Sequence, residues 1–386
     1  MQSDLPNQTR DQTLLSLACK HLNNNFNSLE EIETVNISGM SNVTYIISSK
    51  KEPSNKVVIR FFESKAADFA TEASIFRQMG KRGWGPKEIE STDVYRVEEY
   101  IDGRPLTMFE LRNPFIAKTA MEMICETNYD EKLNKLIKQL KTPNHNFSQD
   151  FVSDSDNGWF NRYMRDVRPQ LLQADFTNFP RALEIFNVFE SIVRDKDQFI
   201  KEYEGLYPSN ENVLFSHNDI QENNIMVWNQ DKTQLTLIDF EYSSLNFRGY
   251  DIASYINETA IDYAHPVVPK FKLYEEFFDS IIEEKEIDLY LGYYLKKYHQ
   301  IMSQKIEEYE YKGQLDKLLE KELPILRDEV LRCILLQHLI WSFWTLIMMP
   351  IEDLKKCENF YLEYGYQRLQ MYIKYKDQFL GLASKQ

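Results

Sequence analysis

Residues 213–228 read VLFSHNDIQENNIMVW, and residues 235–244 read LTLIDFEYSS. Short apolar runs at Val213–Phe215, Ile225–Trp228 and Leu235–Ile238 enclose two polar stretches. Asn229-Gln230-Asp231-Lys232 supplies a turn between two of those runs. The pattern predicts strands whose ends and connecting loops carry His217, Asn218, Asp219, Asn224 and Asp239. Asn224 follows Asp219 by five residues and Asp239 follows it by twenty. A lone His-x-Asp is common and usually marks a solvated turn. Two acids and an amide at this joint spacing are much harder to obtain by chance.

That set is what phosphoryl transfer requires. Protein kinases carry H-R-D-x-x-x-x-N and then D-F-G, in which the first Asp faces the substrate hydroxyl while the Asn and the second Asp hold Mg²⁺ on the nucleotide phosphates. On that spacing Asp219 is the candidate catalytic carboxylate, and Asn224 and Asp239 are the candidate metal residues.

Composition narrows the partners. The chain has 386 residues, 43% hydrophobic and 27% charged, enough for a large core in one domain or two lobes. Its 45 basic and 60 acidic residues give a net charge of -15. An acidic surface argues against nucleic acid, whose phosphates call for an excess of Lys and Arg. It is compatible with a small cationic substrate, and solubility explains it equally well. The four cysteines, Cys19, Cys125, Cys333 and Cys357, show no close pairing, and a reducing cytoplasm is the simplest setting. The polar N-terminus lacks the apolar core of a signal peptide. Residues 333–349, CILLQHLIWSFWTLIMM, approach the length of a membrane span. Gln337, His338, Ser342 and Thr345 interrupt them, so a buried helix is expected and no membrane span.

Upstream of the opening motif the chain alternates in strand fashion. After a short helix over 11–22, Glu33–Ser49 and Lys56–Phe62 predict strands joined by a charged turn. Val57-Val58-Ile59-Arg60 places an arginine where the third strand of a protein kinase carries its lysine. A helix over 66–79 then offers Glu72 as the partner of Arg60. Ser38, Gly39, Ser41 and Asn42 stand where a phosphate-covering loop is expected, although a single glycine gives no G-x-G-x-x-G cradle. A strand over 94–101 ends at Asp102–Leu106, which reads as a hinge. From about residue 107 the pattern is helical, with a polar loop at 142–157 and helices or helix pairs at 159–172, 181–203, 270–299, 313–349 and 353–380. The expected fold is α+β and two-lobed: a small β-rich lobe over 1–104 and a large, mainly helical lobe over 105–386.

At these residues the sequence resembles the choline/ethanolamine kinase family, most of all its choline kinases. The likeness runs from the Ser38–Asn42 loop to Tyr364, and its most specific parts are SHNDIQENNI (216–225) and LIDFEYSSLNFRGYDIASYINE (237–258). The glycine usual near the end of the first motif is Asn223 here. The resemblance implies a protein-kinase-like fold binding ATP and Mg²⁺, and a reaction making phosphocholine for phosphatidylcholine synthesis. An ethanolamine kinase or a dual choline/ethanolamine kinase is the alternative within the family, and another small-molecule kinase or a non-catalytic binding protein on the same fold is the alternative outside it. Position by position, the resemblance implies that Asp219 orients or deprotonates the alcohol. It places Gln221 near the same site and makes Arg60 and Glu72 the small-lobe ion pair. Tyr242, Glu258, Tyr263, Trp341, Trp344, Tyr361 and Tyr364 align with the amino-alcohol pocket. A homodimer is a further expectation of the resemblance. The pocket assignment agrees with physics, because a quaternary ammonium donates no hydrogen bond and is held by aromatic faces. Trp341 and Trp344 share one helical face, as do Tyr361 and Tyr364.

Overall fold

The computed structural model describes residues 7–22, 25–37, 42–62, 69–140, 146–154, 158–209, 212–283, 286–354 and 360–382. The chain opens with α1 (Asn7–His21), β1 (Ile32–Asn36), β2 (Asn42–Ser49), β3 (Lys56–Phe62), α2 (Phe69–Arg82), β4 (Glu88–Ser91), β5 (Tyr95–Glu99) and β6 (Gly103–Pro105). Helices follow: α3 (Met108–Leu111), α4 (Pro114–Asn128), α5 (Glu131–Leu140), α6 (Phe147–Asp150), α7 (Trp159–Arg162), a π-helical turn at Tyr163–Val167, α8 (Arg168–Gln173), α9 (Pro180–Val193) and α10 (Lys196–Glu204). Strands β7 (Val213–Ser216), β8 (Ile225–Trp228), β9 (Leu235–Leu237) and β10 (Ser244–Phe247) lead to α11 (Tyr250–Glu258). The chain closes with β11 (Ile261–Asp262), β12 (Lys272–Leu273), α12 (Glu275–Glu283), α13 (Glu286–Lys305), α14 (Leu315–Met348), α15 (Ile351–Leu354) and α16 (Phe360–Phe379).

Two compact units result: Met1–Pro105 with Asn224–Glu241, and Leu106–Asn223 with Tyr242–Gln386. The sequence division places 224–241 with the helical part. Strand pairing explains their place in the first unit, since β6 pairs β8 and β8 pairs β9. The Asp102–Leu106 stretch read as a hinge therefore contains a paired strand. Gly103 is required there, because a Cβ would stand 2.4 Å from the carbonyl oxygen of Val227.

The first unit is a five-stranded antiparallel sheet in the order β1-β2-β3-β5-β4. Strict alternation in β3 puts Val57, Ile59 and Phe61 on one face, where they pack with Val97 and with Leu14, Leu17 and Ala18 of α1. Arg60 therefore points to the opposite face. Facing pairs Arg60–Arg96 and Val58–Glu98 set the register of β3 against β5.

The second unit is mainly helical. Its longest element, α14, is apolar and long enough to span a membrane, yet 89% of its most apolar 18-residue window is buried within the fold. That is the buried helix expected from its polar interruptions. α16 lies against α14 so closely at Gly365 that a Cβ there would come within 2.2 Å of Thr345 Oγ1. Two stretches differ from expectation. Part of the polar loop, at 147–150, is a short helix capped by Asn146. The predicted helix over 270–299 begins instead with strand β12, which pairs β11.

Candidate active site

Within the first unit, the β8–β9 hairpin brings the two candidate metal residues together. Its register pairs Ile225 with Leu237, so Asn224 and Asp239 lie at the same end. The ladder continues past the strands, with Ile238 N donating to Asn224 O at 3.0 Å. Asp239 adopts a left-handed backbone at φ 65°. A non-glycine residue in that region is strained, and such strain concentrates at functional sites. The donors at this hairpin end are one carboxylate and one amide oxygen. That set suits a hard cation completed by water or phosphate oxygens. Among the described residues no group of three His, Cys, Asp or Glu forms a metal cluster.

The arginine expected to pair with Glu72 has another partner. Arg60 Nε donates to Glu98 Oε1 at 2.9 Å, and Arg96 Nε donates to the same oxygen at 3.0 Å. Arg96 Nη1 and Nη2 then hold Glu72 at 2.6 and 3.0 Å. The cause is the register. Arg96 faces Arg60 directly across the strands, and like charges so placed repel unless a counter-charge intervenes. Glu98, two residues along β5 on the same face, supplies it. Arg60 is held protonated: burial opposes its charge, and Glu98, Asp239 and Glu72 more than offset that. Ser38, Gly39 and Ser41 lie outside the described residues. Asn42 opens β2, with its backbone paired to Phe62.

In the second unit, the loop carrying Asp219 is tethered to α11. His217 N and Asn218 N donate to the two oxygens of Asp251 at 2.8 and 2.9 Å, and Ile220 N donates to Ser254 Oγ at 3.1 Å. Asp251 and Ser254 are three apart and share a helical face. Asn218 is left-handed at φ 69°. Its side chain is fixed at both ends, donating to Tyr242 O and accepting from Asn246 Nδ2, each at 2.8 Å. The backbone strain of this motif thus falls on Asn218 rather than on Asn223, the position where the family's glycine is replaced. Asp219 is partly exposed, and Gln221 Nε2 donates to its Oδ2 at 3.1 Å. Gln221 therefore belongs with the acid. Burial raises the Asp251 carboxyl to about 6 against those two backbone donors.

The seven residues expected to line the amino-alcohol pocket assemble in the same unit. Trp341, Trp344 and Tyr364 are buried, with Tyr242, Tyr263 and Tyr361 packed against them. The rings meet mostly edge to face. Trp341 and Trp344 lie 5.4 Å apart between centroids, as do Tyr242 and Trp341, and Trp344 and Tyr361 lie 5.8 Å apart. Glu258 is 3% exposed at the end of α11 and ion-paired to Arg368. Burial raises its carboxyl, and the charge of Arg368 opposes that rise.

Four members were missed from sequence. Trp159 packs 5.8 Å from Tyr242, and Phe271 packs 5.7 Å from Tyr364. Neither has a periodic signal tying it to α14 or α16. Arg368 lies four residues after Tyr364, so helical spacing could have found it. Glu222 lies inside the quoted motif. It is 5% exposed, and burial together with the charge of Glu258 pushes its carboxyl up to about 9.

The match to known proteins agrees with this arrangement. The model of the choline/ethanolamine kinase family matches residues 32–373. The chain belongs to that family. A human choline/ethanolamine kinase is 27% identical over 367 residues, covering 92% of this chain and 83% of the human one. A Caenorhabditis elegans protein named choline kinase A2 is 24% identical over 383 residues, covering 90% and 81%. Among solved structures, a choline kinase from Cryptosporidium parvum has a TM-score of 0.64 at 21% identity, covering 96% of this chain and 97% of its own. A Plasmodium vivax ethanolamine kinase has the same TM-score at 18% identity, covering 96% and 89%. The fold of this family member is therefore the kinase-like one expected from its sequence, and the chain is a kinase.

Proposed function

We propose that this kinase transfers the γ-phosphoryl group of ATP to the hydroxyl of choline, giving phosphocholine for phosphatidylcholine synthesis in the cytoplasm. The observation that carries the choice of substrate is the aromatic cluster. Two buried tryptophans of α14 and tyrosines from α16, from just before β10 and from just after β11 offer ring faces and edges. That suits a cation held by its charge and surface rather than by N–H donors. Asp219, Asn224 and Asp239 are all present, which favours catalysis over mere binding.

Asn224 and Asp239 would hold Mg²⁺ at the end of the β8–β9 hairpin. When bound, that ion neutralises phosphate charge and orients the phosphates. Arg60, kept charged by Glu98, supplies a fixed positive group near Asp239. Asp219 accepts the choline hydroxyl and orients it toward the phosphoryl group, while Gln221 holds the Asp219 carboxylate in place. Positioning and charge stabilisation account for most of the rate enhancement in this scheme.

Ethanolamine is the second reading. Glu258 and Glu222 are buried carboxyl groups at this cluster, and a primary ammonium could use them as acceptors. Steady-state kcat/KM for the two alcohols decides, with choline expected to exceed ethanolamine by about tenfold or more. Asp219→Asn is expected to keep the fold and nucleotide affinity while lowering turnover on the order of a hundredfold or more. Near wild-type turnover in that variant would remove Asp219 from the chemistry.

A further inference from the structure

Of the oxygens around the aromatic cluster, Tyr242 OH, Tyr364 OH and Glu258 Oε1 are already bonded to protein donors. Tyr242 OH accepts from Trp344 Nε1 at 3.1 Å. Tyr364 OH accepts from Arg368 Nε and Nη2 at 3.1 and 2.9 Å. Glu258 Oε1 accepts from the same Arg368 Nη2. One guanidinium, 1% exposed, thus binds the carboxylate and the phenol together. It also lies 5.1 Å from the centroid of the Tyr364 ring.

Primary and quaternary ammonium ions meet such a wall differently. A primary ammonium carries three N–H donors, and a quaternary one carries none. Each N–H taken from water into a buried site without an acceptor costs roughly 1–3 kcal/mol. Each oxygen so occupied is one acceptor fewer for the first ion and no loss to the second. We propose that Arg368 is a positioning residue that sets substrate selectivity, favouring a quaternary over a primary ammonium by occupying Glu258 and Tyr364. The proposal rests on reading the cluster as the amino-alcohol pocket. Without Arg368, Glu258 loses its counter-charge, and its Oε1 becomes open to an N–H donor. A compact primary ammonium approaches such a carboxylate directly. The methyl groups of choline keep its charge farther away, so choline gains less.

The test measures kcat/KM and, by calorimetry, Kd for choline and for ethanolamine. The proteins are wild type, Arg368→Met, Arg368→Lys and the double variant Glu258→Gln/Arg368→Met. In Arg368→Met the choline-to-ethanolamine ratio is expected to fall about tenfold. Arg368→Lys keeps the charge but not the fork that reaches both partners, so a fall of about threefold is expected. The double variant removes the freed carboxylate and is expected to bring the ratio back toward wild type. A purely structural role would lower both substrates together with the ratio unchanged, and that result overturns the proposal. If Arg368→Met fails to fold by circular dichroism, the Arg368→Lys ratio decides, and an unchanged ratio there is equally fatal. A wild type that binds both alcohols and turns over neither overturns the functional reading, while its variants' Kd ratios still judge Arg368. A wild type that binds neither overturns both.

Discussion

Arg96 reaches Glu72 with two nitrogens, at 2.6 and 3.0 Å, so the glutamate of α2 is held by a β5 arginine. The link runs on through Glu98 to Arg60, making a four-charge chain on one face of the sheet. Glu98 keeps the two facing arginines compatible.

Glu98→Gln should therefore destabilise the fold by about 3–5 kcal/mol, the range for breaking a buried pair and leaving its partner unsatisfied. Glu72→Gln should cost less, since Arg96 would keep Glu98. Urea unfolding of both variants checks the order. Equal midpoints would show that the two carboxylates are interchangeable and that the register argument is wrong.

Asp251 uses one oxygen for each of two backbone N–H groups in the loop bearing Asp219. An asparagine keeps only one acceptor, so Asp251→Asn should cost about 1–3 kcal/mol and lower kcat by loosening that loop. The loss should also depend on pH. The folded carboxyl titrates at about 6, above its ordinary 3.8, so the folded state favours its protonated form. Its contribution is then largest below about pH 4, declines as the pH rises to about 6, and is level above that. The variant has no such titration. Its Tm gap to wild type should narrow between pH 4 and 6, and a gap constant over that range would contradict the assignment.

Asp239 contributes the charge of the hairpin-end pair. Asp239→Ala is expected to lower turnover on the order of a hundredfold or more, with little recovery at high Mg²⁺. Asn224→Ala should be milder, because an amide oxygen carries no net charge. Titrating Mg²⁺ against activity in both variants separates them. An unaltered Mg²⁺ requirement in Asp239→Ala would move the metal elsewhere.

Trp344 presents a ring to the cluster and donates its indole N–H to Tyr242 OH. Trp344→Leu keeps bulk and loses the π face, worth roughly 2 kcal/mol to a desolvated cation. The KM for choline should rise about tenfold or more while that for ATP holds. The neutral isostere 3,3-dimethylbutanol provides the control. Wild type should reject it, and the variant should discriminate less. Equal competition by the two alcohols in wild type would reduce the rings to packing.

Local patterns made the candidate metal residues and the paired aromatic positions legible in the sequence. Asn224 and Asp239 follow from a hairpin whose turn and apolar runs are contiguous. Trp341 with Trp344, and Tyr361 with Tyr364, follow from helical spacing. The Arg60–Glu72 pairing was misread because Arg96 and Glu98 sit on a strand whose register against β3 no local pattern reveals. Trp159 and Phe271 join the cluster through tertiary packing alone. Residues 224–241 read as part of the helical lobe because chain order conceals the pairing of β6 with β8.

Gly365 leaves no gap between α14 and α16, the two helices that carry the paired tryptophans and tyrosines of the cluster. Two walls pressed together at their backbones cannot part to admit a bulkier guest. Any drift of this kinase toward larger amino alcohols would have to proceed by whittling the rings themselves, one indole or phenol at a time. The seam at residues 345 and 365 would tolerate little change along the way.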